Sequence, residues 1–430
     1  MNLAQLHPNL RLRIGVGFVQ RLVDSMVTSF MAIYLAGRFG VAAAGGLVVA
    51  AMSIAVVGTL LGGHVADVWG RRPTLLLGEA VAAVSFAVMG LAQSSGPGGA
   101  ALVVFLAFAV NKFAAGFAVP ANDAMIIDVS TPESRKLVYT INYWAVNLAL
   151  AIGALLGGFL YGTHLAGLLF GAAASMALAL ATTVFALTET KPDGPTLPAE
   201  TDHGQRPASA SKRPRQGYRD VLTDRLFARF VLAVTLAMTI EFQLVNWIGV
   251  RLSFDFPTQR LVSVDGWTLR VDGVRMLGLL RAENTILVVL LAFVLHRAFR
   301  GVPDRVRMQL GIVLFVAGYM VYAVSDSGWV LLAAGLVLTV GELMDSPVRQ
   351  AMLAGLIPTH ARPRYMAVYA LNIRVALVAA ALCISLGSVL PAWGMSVLYC
   401  LLGVAIVSQY RVLLARTPAR AAAAAAAVDA

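Results

Sequence analysis

Apolar residues fall into twelve blocks near 12–36, 43–65, 74–93, 100–127, 138–161, 165–187, 226–250, 277–296, 308–325, 329–355, 365–389 and 392–412. Most have the length at which a helix crosses about 30 Å of hydrocarbon. Polar residues inside them are few and fall on stripes, which is how a helix packed among other helices in lipid keeps its charges out of the lipid. The pattern predicts an all-α membrane protein of twelve transmembrane helices. The first block is too long for the apolar region of a leader and lacks a small-residue cleavage site, so it reads as a retained helix.

The chain divides unevenly. Residues 189–222 are rich in Pro, Ser and charge and cannot bury a core, so they read as a linker. They separate a six-helix bundle over 1–188 from a second over 223–415, and a low-complexity tail over 416–430 is expected to be disordered. The halves echo one another: "PANDAMIIDVSTPESR" (120–135) aligns without gaps on "PVRQAMLAGLIPTHAR" (347–362), with Pro120/Pro347, Ala124/Ala351, Met125/Met352 and Arg135/Arg362 coinciding. Two repeats of six helices imply a transporter with its site at mid-depth between them. The one sizeable loop on the far face, 251–276, carries two β-like runs with turn chemistry at Asp265-Gly266 and Asp272-Gly273. It reads as a hairpin, either a small ordered cap or a gate.

Charge settles orientation. The chain is 59% hydrophobic and only 13% charged, and its net charge of +11 could suggest nucleic acid as a partner. Among Lys and Arg, however, only Arg38, Arg251, Arg260, Arg270, Arg275 and Arg281 fall on one face, and Arg21, Lys112, Arg349 and Arg374 lie within spans; the rest flank the opposite face. That asymmetry is the positive-inside pattern, which makes the basicity topogenic and puts both termini and the linker in the cytoplasm. Nucleic acid is not an expected partner; membrane lipid is. Cys383 and Cys400 lie in separate blocks, so neither a disulfide framework nor a metal site is expected.

A charge at bilayer depth costs roughly 2.5–3.5 kcal/mol on insertion scales, so each one inside a span needs a reason. Gln20, Arg21, Asp24 and Thr28 share one face of span one, and Arg21 and Asp24 stand at i, i+3, where they can pair. Lys112, Gly116 and Asp123 share a face of span four; Thr339, Glu342, Asp345, Ser346 and Arg349 share one of span ten. In span seven Thr235, Thr239, Gln243 and Asn246 line up, while Glu241 points away and is either a coupling site or a packed carboxylate. Arg21 and Asp24 are either a pair that pins helix one or part of the coupling machinery. Asp24 and Glu342 suit proton carriage, because a protonated acid avoids most of the desolvation cost of its anion. Arg21, Lys112 and Arg349 are their candidate charge partners or holders of a substrate group. Tyr143, Trp144, Asn147 and Trp247 are expected to add aromatic and polar surface to the cavity.

Between spans two and three stands "GGHVADVWGRRPTLL" (62–76). It resembles the loop signature G-x-x-x-D-x-x-G-R-[RK] of the major facilitator superfamily, matched by Gly63, Asp67, Gly70, Arg71 and Arg72. The resemblance implies a cytoplasmic charge clamp that favours the outward-facing state, with Asp128 and Arg135 as partners. The alternative is that Arg71 and Arg72 only set topology, which leaves the Gly/Asp spacing without a reason. "KFAAG" (112–116) loosely resembles the family's span-four R-x-x-Q-G, with Lys112 for the arginine and Ala115 for the glutamine. "GALLGG" (153–158) departs from the exporters' G-P-x-x-G-G at Ala154, although Gly153 and Gly157 keep a packing face.

The resemblance implies a secondary transporter, proton-coupled and exporting a small organic molecule such as a drug or metabolite. Uptake of peptides by proton symport is the alternative: "GELMDSPVRQAMLAGLIP" (341–358) looks like the span-ten stretch of peptide symporters, but their span-one E-x-x-E-R-F is missing around Arg21. A primary pump would need a phosphate-binding G-x-x-x-x-G-K-[ST] loop, which the chain lacks. The six histidines are scattered, so neither an enzyme nor a cofactor is expected, and a single copy is expected to suffice.

Overall fold

The computed structural model describes residues 8–96, 101–130, 132–190, 221, 223–358 and 361–429; side chains at 132–136, 267, 296, 363 and 417–429 are outside that description. The linker expected over 189–222 therefore lies outside the described residues except at Glu189, Thr190 and Val221.

Spans one to four are Pro8–Phe39, Val41–Val68, Arg71–Ser94 and Ala101–Val129. Spans five and six form a single run, Pro132–Ala186, broken only where His164 leaves helical geometry (φ −140°, ψ 40°). Val138 packs on Leu10 and Ile126, while the Val184 carbonyl accepts a hydrogen bond from Arg72, so both ends of the run lie on one face and the chain reverses at His164. Span seven is Arg225–Glu241, a 3₁₀ turn at Phe242–Val245, then Trp247–Asp255. The polar stripe marks the break: Asn246 leaves helical geometry, its side chain bonds the Phe242 carbonyl, and that of Gln243 bonds the Thr239 carbonyl. Spans eight to twelve are Gly273–Ala298, Asp304–Val324, Gly328–Leu356, Arg362–Leu386 and Ala392–Asp429. The last helix continues through the alanine-rich tail, where composition alone suggests disorder, consistent with alanine's high helix propensity. Eleven of these helices are long and apolar enough to cross a membrane, and one, Leu137–Ala186, holds two spans. Leu60, Phe185, Phe293 and Val389 point outward, as lipid-facing residues do.

The far-face loop is a hairpin. Strand β1 (Gln259–Val264) pairs antiparallel with β2 (Trp267–Val271) around Asp265 and Gly266, both at positive φ. It is tied to the loop between spans nine and ten, since Gln259 Nε2 donates to the Asp326 carbonyl and Trp329 Nε1 to the Leu261 carbonyl.

The two halves meet on this hairpin face. Ser385 Oγ donates to the Ala42 carbonyl at 2.6 Å and Arg281 to Ser29 Oγ. Spans five and eight close to backbone contact at Gly158 and Gly278: a Cβ on Gly158 would stand 3.0 Å from the Gly278 Cα. Gly157 does the same within the first half, a Cβ there lying 2.5 Å from the Met26 carbonyl, so the G-x-x-x-G face packs spans five and one.

Candidate functional site

A cavity of about 350 Å³ opens inside the first half, with Arg374 of span eleven as its one contribution from the second. Span one supplies Arg13, Gln20, Arg21 and Asp24, span three Glu79, and span four Lys112, Asn122 and Asp123. It runs from Asp24 and Lys112 at mid-depth towards the linker-face ends of those helices, away from the contacts that close the hairpin face.

The deepest charges are paired. Lys112 Nζ donates to Asp24 Oδ1 at 2.5 Å and to Thr28 Oγ1 at 2.6 Å, and Thr28 donates to the same Asp24 oxygen at 2.9 Å. The lysine is 7% exposed and the aspartate 51%, so the aspartate faces the cavity. Phe108 lies under the ammonium, 5.3 Å from ring centre to Nζ. Of the two charge partners the sequence offers Asp24, Lys112 makes the ion pair. Arg21 stays exposed on the cavity wall, where water solvates it, whereas the ammonium of Lys112 is withdrawn from water and requires the anion.

Sequence reasoning missed a second pair. Arg13 counts in the sequence as a flanking topogenic charge, yet it is buried with Glu79 at 3.1 Å, each side chain 1% exposed. Its Nε and Nη2 donate to Asn122 Oδ1 at 3.0 and 2.5 Å, and Gln20 Nε2 donates to Glu79 Oε1 at 2.7 Å. Glu79 is thus fully withdrawn from water.

The second half has its own cluster. Asn284 of span eight donates to Thr339 at 3.0 Å and to Glu342 Oε2 at 3.1 Å; Arg349 pairs with Asp345 at 3.5 Å, one turn apart. Glu241 lies within electrostatic reach of Glu342 and Arg349, which joins it to the span-ten face. Arg281, expected outside the membrane, instead reaches span one at Ser29.

At the linker face Arg71 binds Asp128 at 3.3 Å, Asp67 at 3.4 Å and the Ala66 carbonyl at 3.1 Å. Gly70 adopts φ 114°, so a side chain there would be strained, and Gly63 lies 3.8 Å (as a Cβ) from Pro120. A residue outside the motif completes it. Glu189 accepts the backbone N–H groups of Arg71 and Arg72, both at 3.0 Å, capping span three, while Arg72 holds the Thr183 and Val184 carbonyls. The Arg135 side chain lies outside the described residues.

Four expected cavity residues are elsewhere. Tyr143 and Trp144 are exposed and stand edge to face with ring centres 6.2 Å apart, and Asn147 bonds the Tyr143 carbonyl; none lines the cavity. Trp247 is buried against Tyr399. On the same helix as the first three, Asn142 and Leu150 do face the cavity.

Two six-helix bundles, the first holding a charged cavity, suit a transporter, and comparison with known proteins identifies the kind. The family model for the Major Facilitator Superfamily matches residues 14–297. The chain belongs to the Major Facilitator Superfamily. A Na(+), Li(+), K(+)/H(+) antiporter of Planococcus maritimus is 28% identical over 378 residues, 86% of this chain and 88% of the relative. The multidrug resistance protein MdtH of Aeromonas hydrophila is 24% identical over 314 residues, 71% and 68% of the two chains. Among solved structures, a POT family transporter in complex with 5-aminolevulinic acid superposes with a TM-score of 0.72 over 97% of this chain and 99% of that one, at 16% identity; it shows the fold alone. This superfamily member is a multi-pass membrane transporter and not an enzyme.

Proposed function

We propose that the protein is a proton-driven antiporter, exporting a small organic solute across the cytoplasmic membrane by alternating access, with both termini and the linker in the cytoplasm. The observation that carries this reading is the Lys112–Asp24–Thr28 cluster on the cavity wall. Asp24 can be neutralised by Lys112, by a proton, or by a cationic group on a solute, and only one of these at a time. A proton arriving from one side and a solute arriving from the other therefore displace each other, which is exchange. Glu342 and Glu241, held near Asn284 and Arg349, are the matching carboxyl groups of the second half.

Monovalent cations are the second reading for the solute, favoured by the Planococcus relative, whose name gives Na(+), Li(+) and K(+). Peptide uptake has less support, since the POT likeness is one of fold and the span-one acidic signature is absent around Arg21.

Purified protein in liposomes acidified inside, with a pH-reporting dye, tests the reading. Addition of lipophilic organic cations should release protons from the lumen in wild type and leave Asp24→Asn silent. Release by Na+, Li+ or K+ alone would replace the organic solute by the metal cation. Proton movement together with a dipeptide, in the same direction, would overturn antiport.

A further inference from the structure

Two buried polar atoms near the hairpin face have no hydrogen-bond partner among the described residues: Glu283 Oε2 of span eight and Tyr322 Oη of span nine. They converge. A Cβ on Gly335 of span ten would stand 2.5 Å from Glu283 Oε2 and 2.7 Å from Tyr322 Oη, so glycine leaves these two groups the space they share. Tyr322 is fully buried. Glu283 is half-buried, but its Oε2 is withdrawn from water with no donor among the described residues, and the Tyr322 hydroxyl has no acceptor there; one proton on the carboxyl relieves both, because the acid can bond the hydroxyl.

We propose that Glu283 and Tyr322, seated on Gly335, form a proton-binding site on the hairpin face of the second half, separate from the cavity. The site rests on the proton-coupled reading above and adds to it an entry point for the proton that the solute does not use. The nearby charges have partners other than the Glu283 carboxyl. On span eight Arg281 turns to Ser29, on span seven Arg251 binds Asp326 and the Ser325 and Tyr322 carbonyls, and on span five Tyr161 faces Tyr34 and Arg38. On span nine Tyr319 bonds the Glu241 carbonyl. On span ten Thr339 bonds the Gly335 carbonyl and receives Asn284, which also holds Glu342. Occupancy of the outer carboxyl is thereby connected to Glu342 by packing of spans eight and ten. With the proton bound, Glu283 bonds Tyr322 and holds spans eight, nine and ten together on the face where the halves meet. Without it the charged carboxylate draws water between them and favours opening of that face.

Infrared spectroscopy of the purified full-length protein in lipid tests the site without requiring transport. The wild type at neutral pH should show a carbonyl stretch of a protonated carboxyl that is lost in Glu283→Gln and shifted in Tyr322→Phe. Variants that elute and melt as wild type are compared, and Tyr322→Phe serves should Glu283→Gln not fold. In liposomes, Glu283→Gln should flatten the dependence of transport on hairpin-side pH while solute counterflow is retained. An unchanged band in Glu283→Gln, or an unshifted one in Tyr322→Phe, overturns the site even where the wild type moves protons. Wild type that moves no protons overturns the antiport reading, and the band then decides separately whether the carboxyl is protonated.

Discussion

Lys112 of span four reaches Asp24 of span one at 2.5 Å and takes the place that Arg21, three residues away on the same helix, leaves empty. The arginine needs no partner because the cavity hydrates it. The lysine does, because it is 7% exposed. One carboxylate therefore answers to a fixed internal cation, and any proton or cationic solute must compete with that cation.

The competition predicts a split phenotype. Asp24→Asn removes the titrating group while keeping the size of the side chain and its bond to Thr28. Accumulation driven by a proton gradient should be lost, and solute counterflow, which needs no net proton movement, should persist. Glu342→Gln is expected to do the same through the second half. Normal gradient-driven accumulation in both would remove these residues from coupling and leave Glu241 to be tested.

The Arg13–Glu79 pair should act on stability. Both side chains are buried, so removing one partner strands the other and costs about 3–5 kcal/mol. Glu79→Ala should sharply lower the melting temperature in detergent. Arg13→Met with Glu79→Leu should recover part of that loss, since an apolar pair of similar volume leaves neither charge stranded; Asn122 would keep a residual deficit. Equal melting of Glu79→Ala and wild type would show the pair to be solvated.

Block length and loop chemistry made the helices and the hairpin legible in the sequence, because lipid thickness and the Asp265-Gly266 turn each impose a local pattern. Helical phase found the face that carries Asp24. It offered both Arg21, at i, i+3, and Lys112 as charge partners of Asp24 but could not choose between them, since pairing across helices depends on which faces meet. Arg13 misled for a related reason. Its place near a helix end looks topogenic, and only the approach of spans three and four, bringing Glu79 and Asn122, makes it internal. Glu189 has no local signal at all, because it caps span three from across the bundle.

Topology can be read by accessibility. The Lys and Arg asymmetry predicts the hairpin outside and the linker inside. A cysteine at Asp265 in a background without Cys383 and Cys400 should react with a membrane-impermeant maleimide in intact cells, and one at Gln205 only after lysis. The reverse pattern would invert the assignment.

The linker-face lattice predicts an order of effects within one motif. Asp67 is 77% exposed, and an exposed ion pair contributes about 0–1 kcal/mol. Asp128 is better shielded and binds Arg71 at 3.3 Å, and Glu189 accepts two backbone N–H groups at the start of span three. These contacts hold spans three, four and six together where the cavity opens, so they set how readily that face rearranges and stay clear of Asp24 and Lys112. Asp128→Asn and Glu189→Gln should slow turnover more than Asp67→Asn does, and all three should keep the solute affinity of wild type. Gly70→Ala should slow turnover as well, by straining the backbone at φ 114° and crowding the Glu189 carboxylate. Equilibrium binding measured beside transport rate separates these effects. A large loss of affinity at normal turnover would move the motif from gating to solute recognition, and a stronger effect at Asp67 than at Asp128 would give the exposed contact the weight assigned here to the shielded one.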